Sequence, residues 1–229
     1  MLSIVIPTLN AATGLPATLE SVAGGLDDLG KAQIIIADGG STDSTLDLAK
    51  QTGASVISSE KGRGNQLAAG ASAASGDWLL FIHADALLQP GWGAAVARFI
   101  ADRSTPEMSS KAAVFRFELD DPSFKARVLE TIVALRTKWL ALPYGDQGLL
   151  ISKDHYELIG GFRPIPIMED VDIVRRIGRH SLKVLDCSAV TSAGRYRQEG
   201  YLRRMSRNIV CLSMWFLGVA PDKIARVYS

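Results

Sequence analysis

Cysteine and histidine are scarce in this chain of 229 residues. The two cysteines, Cys187 and Cys211, are too few for a disulfide framework, which favours a reducing compartment. The three histidines are well separated, which excludes a histidine-rich metal site. Neither sign of charge is in excess, because the chain has 25 lysines and arginines and 24 aspartates and glutamates. The net charge of +1 gives no reason to expect a nucleic-acid partner.

Long hydrophobic runs and two common nucleotide-binding motifs are also absent. The longest apolar stretch, at 209–220, has 12 residues, whereas a membrane-spanning helix needs about 20. No basic segment opens a secretory signal, so we expect a cytoplasmic protein. The sequence has neither Gly-x-Gly-x-x-Gly after its first predicted strand nor Gly-x-x-x-x-Gly-Lys-Ser/Thr anywhere. These absences count against a dinucleotide-binding Rossmann domain and a P-loop NTPase.

The composition, with 47% hydrophobic and 21% charged residues, is that of a globular protein, and the length suits one α/β domain. Predicted strands at 2–7, 32–37, 54–58 and 78–82 alternate with predicted helices at 15–23, 44–51 and 65–74. This order implies right-handed crossovers and a parallel sheet. Further predicted helices lie at 91–103, 124–142, 169–180 and 199–217, and further strands at 113–119, 149–152 and 183–186. At 113–119 polar and hydrophobic residues alternate, which indicates a strand with one face more exposed to water, as in an antiparallel or edge strand.

Polar groups follow three of the predicted strands, where an open parallel sheet binds its ligands. The first strand is followed by Thr8 and Asn10, the second by an Asp-Gly-Gly-Ser-Thr-Asp segment at 38–43, and the fourth by His83 and Asp85. In the segment at 38–43, Asp38 could accept hydrogen bonds from a base or ribose, or the segment could be an ordinary capped turn. Asp85 could hold a divalent cation together with a phosphate, or it could cap the next turn.

Three further segments are polar enough to bind a ligand. The basic Lys-Gly-Arg-Gly-Asn-Gln turn at 61–66 precedes a helix and suits a phosphate, or is simply an exposed loop. Acids at 169–172 open a helix, which the helix dipole alone would favour, and one of them could be a general base. Arg175 and Arg176 follow as an anion clamp or as partners of Asp172. A Tyr-Gly-Asp-Gln-Gly segment at 144–148 indicates a turn.

Taken in order, these motifs resemble the family 2 glycosyltransferases of GT-A fold, over roughly residues 2 to 180. Within that family, the chain resembles a short bacterial subgroup, some of whose members carry an arsenosugar-type label. Four motifs carry this resemblance, namely Lys-Gly-Arg-Gly-Asn-Gln, His-Ala-Asp, Tyr-Gly-Asp-Gln-Gly and Met-Glu-Asp-Val. The resemblance implies a mostly parallel mixed sheet flanked by helices. It also implies catalytic residues Asp170 and Glu169, with Asp170 as the base. The donor-binding residues that it implies are Pro7, Thr8, Asn10, Asp38, Gly39, Arg63 and Asp85. The candidates for the acceptor or an anion are Asp146, Gln147, Arg175 and Arg176.

Two departures from the family pattern qualify these roles. His83 stands where the first acid of Asp-x-Asp is expected, so the predicted Mn²⁺ or Mg²⁺ would be held by Asp85 with His83 as a candidate second ligand. The Gln-x-x-Arg-Trp motif of processive members is absent, which favours a single sugar transfer. We therefore predict an inverting transfer from a nucleoside diphosphate sugar to an acceptor hydroxyl. A nucleotidyltransferase and a non-catalytic nucleotide-sugar binding module are the alternatives.

The charge divides the chain unevenly. Residues 195–229 carry a net charge of +5, whereas the preceding 194 residues carry −4. We predict one domain with a nucleotide-binding half at 1–90, an acceptor and catalytic half at 91–194, and a basic, apolar-ended helical element at 195–229. In the helix at 199–217, six apolar residues share a face, which could pack on the domain, form a homodimer or contact a membrane surface.

Overall fold

The computed structural model describes residues 1–102 and 112–228 as a single α/β domain, in which a mixed eight-stranded sheet is flanked by helices. The strands are β1 (Leu2–Thr8), β2 (Ala32–Asp38), β3 (Ser55–Ser58), β4 (Trp78–Phe81), β5 (Ala86–Leu88), β6 (Ala112–Leu119), β7 (Leu149–Ser152) and β8 (Leu182–Thr191). The helices are α1 (Leu15–Ala23), α2 (Thr45–Gln51), α3 (Arg63–Ala73), α4 (Trp92–Ala101), α5 (Phe124–Leu140), α6 (Lys153–Leu158), α7 (Glu169–Ile177), α8 (Gly194–Glu199), α9 (Tyr201–Phe216) and α10 (Pro221–Tyr228).

The first half of the sheet is parallel, as predicted. Its strands lie in the order β3, β2, β1, β4, with Ile4 opposite Ile34 on one side and Leu80 on the other. All seven residues of β1 are buried, because helices cover both faces of this half. The carboxyl ends of β1, β2 and β4 therefore meet at one edge, and the polar loops that follow them lie side by side.

The second half mixes strand directions. β7 pairs antiparallel with β4, and β6 lies between β7 and β8, antiparallel to the former and parallel to the latter. Of the two expectations for 113–119, the antiparallel one is confirmed by the pairing with β7, whereas the edge position is wrong, although Arg116 on the wetter face is exposed. β8 continues to Thr191, well beyond the predicted 183–186, because its end pairs with β5, a three-residue strand that the pattern did not reveal.

Helix ends agree with the sequence where capping chemistry is clear. Ser123 accepts a hydrogen bond from the backbone N–H of Ala126 and starts α5. α7 ends at Ile177 and not at 180, because Gly178 has a φ of 82°. The predicted end of one helix at 103 lies outside the described residues. The short helices α6, α8 and α10 were not predicted, and Ile224 of α10 is fully buried against Cys211 of α9.

Within the described ranges, no helix combines the length and apolarity needed to span a membrane.

Candidate active site

The loop after β2 is organised around the carboxylate of Asp38, which is only 3% exposed. Oδ1 accepts hydrogen bonds from the hydroxyls of Thr8 (2.9 Å) and Ser41 (2.5 Å). Oδ2 accepts from the backbone N–H groups of Gly40 (2.9 Å) and Ser41 (2.8 Å). Burial raises the pKa of Asp38, but these hydrogen bonds outweigh it and the net pKa is lowered. A carboxylate has about four acceptor positions, so protein groups already use all of them.

The loop after β1 is tied to the loop after β2. Asn10 adopts a left-handed conformation, with φ of 51°, and its Oδ1 accepts from the backbone N–H of Thr42 at 2.8 Å. Gln66 of α3 donates to the carbonyl oxygens of Thr8 and Ala37, and its side chain fills the space beside Gly39. The residues predicted to bind the donor nucleoside that lie together on this β1–β2 rim are Pro7, Thr8, Asn10, Asp38 and Gly39.

A cavity of about 380 Å³ opens beyond the end of β4, the strand next to β1, and none of the five rim residues lines it. Six of the residues singled out in the sequence line it, namely Arg63, His83, Asp85, Asp146, Glu169 and Asp170. They come from the starts of α3 and α7, the turn after β4 and the segment before β7. Residues far apart in the sequence therefore converge on one concave, strongly charged site, as is typical of an active site.

Asp170 is held in the cavity by two backbone groups. Its Oδ2 accepts a hydrogen bond from the N–H of Gly145 at 2.8 Å, and its Oδ1 accepts from the N–H of Val171 at 2.7 Å. A Cβ atom at Gly145 would lie 2.7 Å from Nε2 of His83 and 3.6 Å from Oδ2 of Asp170. A larger residue at position 145 would therefore displace the imidazole of His83 or the backbone segment that binds Asp170.

Glu169 lies behind Asp170 and is 2% exposed. Burial raises its pKa well above the usual value, the charge of Asp170 raises it further, and Arg63 opposes both effects. The Arg63 guanidinium lies 3.5 Å from the Glu169 carboxylate. This pairing requires α3 to start very close to the segment before α7, since a Cβ at Gly64 would meet the carbonyl oxygen of Arg163 at 2.3 Å.

Asp146 contributes a buried carboxylate that has few hydrogen bonds to offset the loss of solvent. Its Oδ1 is buried without a hydrogen-bond partner among the described residues. Burial is the main cause that raises the pKa of Asp146 to about 6, and Asp170 adds to the effect while Arg136 opposes it. Arg136 itself stacks on the ring of Tyr144, with 3.4 Å between the guanidinium carbon and the ring centroid.

His83 and Asp85 are the groups best suited to a metal ion. Burial lowers the pKa of His83 well below its usual value, and the positive charges of Arg63 and Arg195 lower it further. The imidazole is therefore neutral at pH 7 and keeps a lone pair for a ligand. Asp85 is exposed. Residues 1–102 and 112–228 contain no group of three or more His, Cys, Asp or Glu side chains arranged for a metal. A cation that takes most of its ligands from a diphosphate and water needs only one or two protein donors, so such a small donor set is enough in principle.

Three predicted acceptor or anion residues lie outside the cavity. Gln147 is buried, accepting from the hydroxyl of Thr137 and donating to the carbonyl of Phe115, so it anchors the segment that carries Asp146. Arg176 pairs with Asp172 at 2.5 Å, and Arg175 stacks on Phe216, with 4.8 Å to the ring centroid. Both arginines make contacts that stabilise α7, and neither lines the cavity.

The far wall of the cavity comes from the carboxyl-terminal helices. Its residues, which the sequence analysis did not single out, include Arg195, Tyr196, Gln198, Arg204, Asn208 and Tyr228. Arg204 is buried and donates to Glu199 (2.9 Å) and to the hydroxyl of Tyr228 (3.1 Å). Oδ1 of Asn208 is buried without a partner among the described residues. The charge of +5 over 195–229 pointed to this region, but not to individual side chains.

The fold is similar to that of solved glycosyltransferases. A structure of glucosyl-3-phosphoglycerate synthase from Mycobacterium tuberculosis in complex with Mn²⁺, UDP and glucosyl-3-phosphoglycerate aligns with a TM-score of 0.64 and 22% identity, covering 96% of this chain and 80% of the other. A structure of Staphylococcus aureus TarS 1–349 in complex with UDP-GlcNAc aligns with a TM-score of 0.65 and 14% identity, covering 83% of this chain and 58% of the other. At these identities the likeness establishes the GT-A fold.

Sequence comparison identifies the family. The PGL/p-HBAD biosynthesis glycosyltransferases of Mycobacterium bovis (strain BCG / Pasteur 1173P2) and M. tuberculosis (strain ATCC 25618 / H37Rv) are each 33% identical over 153 residues. The alignment covers 59% of this chain and 59% of each relative, so the chain matches little more than half the length of these proteins. The family model described as glycosyl transferase family 2 matches residues 3–121, more than half of the chain. The chain therefore belongs to glycosyl transferase family 2.

Proposed function

We propose that the enzyme transfers one sugar from a nucleoside diphosphate sugar to an acceptor hydroxyl, with inversion at the anomeric carbon. The observation that carries this proposal is that Asp170, Asp85 and Arg63 line one cavity beyond the end of β4, the strand next to β1. A base, a candidate metal ligand and a fixed cation thus share one space. This combination suits attack by a hydroxyl on a carbon whose leaving group is a diphosphate.

Asp170 is the proposed general base. Its two backbone hydrogen bonds fix the carboxylate and leave acceptor capacity for the proton of an incoming hydroxyl. The acceptor oxygen then forms a bond to the anomeric carbon while the bond to the diphosphate breaks on the opposite face. Attack from the face opposite the leaving group inverts the configuration.

Arg63 is the proposed cation for the leaving diphosphate. Glu169 holds its guanidinium, which is about half exposed and therefore open to a ligand. Asp85, with His83 as second donor, would hold Mn²⁺ or Mg²⁺, and such an ion offsets the charge that builds on the departing phosphate. The neutral state of His83 suits this role, because a protonated imidazole cannot ligate a metal.

UDP-sugars are the first donor candidates, because the structurally similar glucosyl-3-phosphoglycerate synthase was solved with Mn²⁺ and UDP and TarS with UDP-GlcNAc. We propose that residues 1–90 bind the nucleotide, that 91–194 supply the catalytic residues, and that 195–229 contact the acceptor. The assignment of 91–194 rests on the presence of Asp170 in the cavity. The assignment of 195–229 rests on the cavity wall formed by Tyr196, Asn208 and Tyr228.

The variant Asp170→Asn tests the proposed base. Loss of general-base assistance is expected to reduce transfer about 10²–10⁴-fold, with the dissociation constant of the donor nearly unchanged. Isothermal titration with UDP and Mn²⁺ and a transfer assay over a panel of UDP-sugars measure the two effects. Asp154→Asn, on the exposed surface of α6, is the matched control. Transfer by Asp170→Asn at the control's rate would refute the assignment.

The same assay separates the other two predicted classes. A nucleotidyltransferase would form a nucleotide sugar from a sugar 1-phosphate and UTP, and a binding module would bind UDP-sugar without releasing UDP. UDP release that depends on Mn²⁺ or Mg²⁺ and is abolished by EDTA is the expected result. Unchanged activity in EDTA would contradict the proposed role of Asp85 and His83.

A further inference from the structure

The outward face of α5 is apolar along its whole length. Five large hydrophobic side chains recur on it at spacings of three and four residues, namely Phe124, Val128, Ile132, Leu135 and Trp139. Every one of them is exposed, with Phe124 at 81% and Trp139 at 61%. At 3.6 residues per turn, these positions form one continuous stripe.

This stripe is not the core-facing side of the helix. The buried side chains of α5 are Ala126, Leu129, Val133 and Thr137, on the opposite face. Three of them form a hydrophobic cluster with Phe117 and Leu119 of β6. An ordinary surface helix has a polar face opposite its core face, whereas α5 presents hydrophobic side chains in both directions.

α9 presents a second apolar face to the outside. Its exposed hydrophobic residues are Leu202, Ile209, Val210 and Phe216, followed directly by Leu217. The polar residues that line the cavity, Arg204 and Asn208, lie on the other side of the helix. The two helices share one hydrophobic cluster, because Tyr201 and Met205 pack against the buried face of α5.

The charges that accompany these faces are almost all positive. α5 carries Lys125, Arg127, Arg136 and Lys138 against one acid, Glu130, and that acid is paired with Arg127. On a helical projection Lys125 and Lys138 lie on the two borders of the apolar stripe. On α9, Arg203 is exposed, whereas Arg204 and Arg207 both pair with Glu199.

We propose that α5 and α9 dock the enzyme onto the surface of a bilayer that contains anionic lipids. Trp and Phe in an apolar stripe bordered by lysines form the pattern of a helix that lies in the membrane interface. A second copy of this chain fits less well as the occupant. A two-fold contact through α5 would bring the lysines of one copy against those of the other with no free acid on α5 to compensate.

Vesicle binding by the unaltered protein is the first test. We expect co-flotation with vesicles of phosphatidylcholine and phosphatidylglycerol, and about tenfold less with phosphatidylcholine alone, because each lysine near an anionic surface contributes about 1 kcal/mol. Trp139 supplies a second readout, since burial in lipid shifts its fluorescence to shorter wavelength. The shift should disappear in Trp139→Phe, which removes the probe and retains an apolar side chain.

Paired substitutions locate the surface. Phe124→Ser with Trp139→Ser is expected to weaken vesicle binding at least about tenfold, because two buried aromatic side chains are lost from the interface. Leu158→Ser is the matched control, because Leu158 is 76% exposed on α6, which packs in a different hydrophobic cluster from α5 and α9, and its loss should leave binding unchanged. Thermal unfolding verifies that the variants fold. No binding by the unaltered protein, or equal loss in both variants, would overturn the proposal. A dimer in light scattering that the double substitution dissociates, without vesicle binding, would assign the surface to a second copy.

Discussion

At the scale of single residues, the space beside Gly145 controls the geometry of the site. Alanine at this position would push its Cβ to 2.7 Å from the His83 imidazole, next to the Asp170 carboxylate. Both groups sit on firmly anchored segments, so the added methyl group must displace one of them. A displacement of about 1 Å at a reacting group can cost about 10²-fold in rate.

The first prediction is therefore that Gly145→Ala lowers kcat for sugar transfer about 10²-fold, with little change in thermal stability. Gly24→Ala is the control, because Gly24 has an ordinary φ of −63° and the nearest atom to an added Cβ is 3.6 Å away. The measurement is steady-state transfer with UDP-sugar in both variants. Equal activity would mean that the His83 and Asp170 side chains tolerate a larger residue at 145.

The second prediction concerns Asp146. Its pKa of about 6 in the folded protein exceeds the value of about 3.9 in an unfolded chain, so the folded state holds the proton more tightly. This tighter binding of the proton adds to the free energy of unfolding. The contribution is fully present below pH 4 and is lost as the pH rises through 6. Because the Asn side chain cannot ionise, the free energy of unfolding of Asp146→Asn is expected to exceed that of the unaltered protein by up to about 3 kcal/mol at pH 8.

Urea unfolding in EDTA at pH 4 and at pH 8 measures this difference in the free energy of unfolding. EDTA removes any bound cation that would stabilise the carboxylate. The gain of Asp146→Asn over the unaltered protein should be small at pH 4 and large at pH 8. A difference that is the same at both pH values would show that the Asp146 carboxylate is not destabilised by burial.

The sequence identified cavity residues best where the chain leaves a strand. Arg63, His83 and Asp85 line the cavity because the parallel order β3, β2, β1, β4 brings the loops that follow β3 and β4 to one edge. Gln147 could not be recognised in the same way, because its side chain donates inward to Phe115, which is far away in sequence. Arg176 pairs with Asp172 at the i,i+4 spacing, which was one of the two interpretations of the sequence, and it also donates to the carbonyl of Ile159.

At the scale of elements, α7 is anchored by a buried carboxylate. Asp172 accepts hydrogen bonds from Arg163 at 3.0 Å and from Arg176 at 2.5 Å, and Arg176 also donates to the carbonyl of Ile159. These contacts join α7 to the segment that precedes it and so fix the helix start that carries Asp170. The adjoining Met168 adopts a left-handed conformation, with φ of 65°, which is strained for a residue with a side chain.

The third prediction is that Asp172→Ala lowers the free energy of unfolding by about 3 kcal/mol, because it leaves Arg176 partly buried without its counter-charge. Asp186→Ala is the control. Asp186 pairs with Arg116 on the surface, where both side chains are more than half exposed, so its loss should leave the melting temperature nearly unchanged. Differential scanning calorimetry compares the two. Similar melting temperatures for both variants would contradict a role for Asp172 in holding α7.

The elements missed in the sequence have a common physical cause. β5 is three residues long and exists only because it pairs with the end of β8, so its stability comes from a distant partner. α10 is only eight residues long. Its apolar residues Ile224, Val227 and Tyr228 have helical spacing, but two turns are too few to establish a pattern. Long elements such as α5 and β1 were predictable because many residues repeat the same pattern.

At the scale of the whole molecule, α10 completes a cavity whose other lining residues lie between Arg63 and Asn208. Tyr228 of α10 lines that cavity, and Ile224 on the same helix packs on Cys211, Met168 and Val171. The packing of α10 and the position of the helix start that carries Asp170 are thus linked through one hydrophobic cluster.

The fourth prediction is that Ile224→Ala loosens α10, at a cost of about 2–4 kcal/mol in local packing, and raises the KM for the acceptor more than that for the donor. Cys211, now fully buried, should react faster with a thiol reagent, whereas Cys187 on β8 should keep its rate. Val227→Ala, at an exposed position of the same helix, is the control. Unchanged reactivity of Cys211 would show that α10 does not depend on Ile224.

The two faces of α9 set a length scale for the acceptor. Arg204 and Asn208 line the cavity on one side of the helix, and Leu202 and Ile209 face outward on the other. A helix with its side chains is about 10–12 Å across, so the cavity stands about that far above the proposed lipid surface. An acceptor anchored in the same bilayer would need a polar spacer of about that reach to bring its hydroxyl to Asp170. Acceptors with a series of spacer lengths should therefore show a minimum length below which transfer stops.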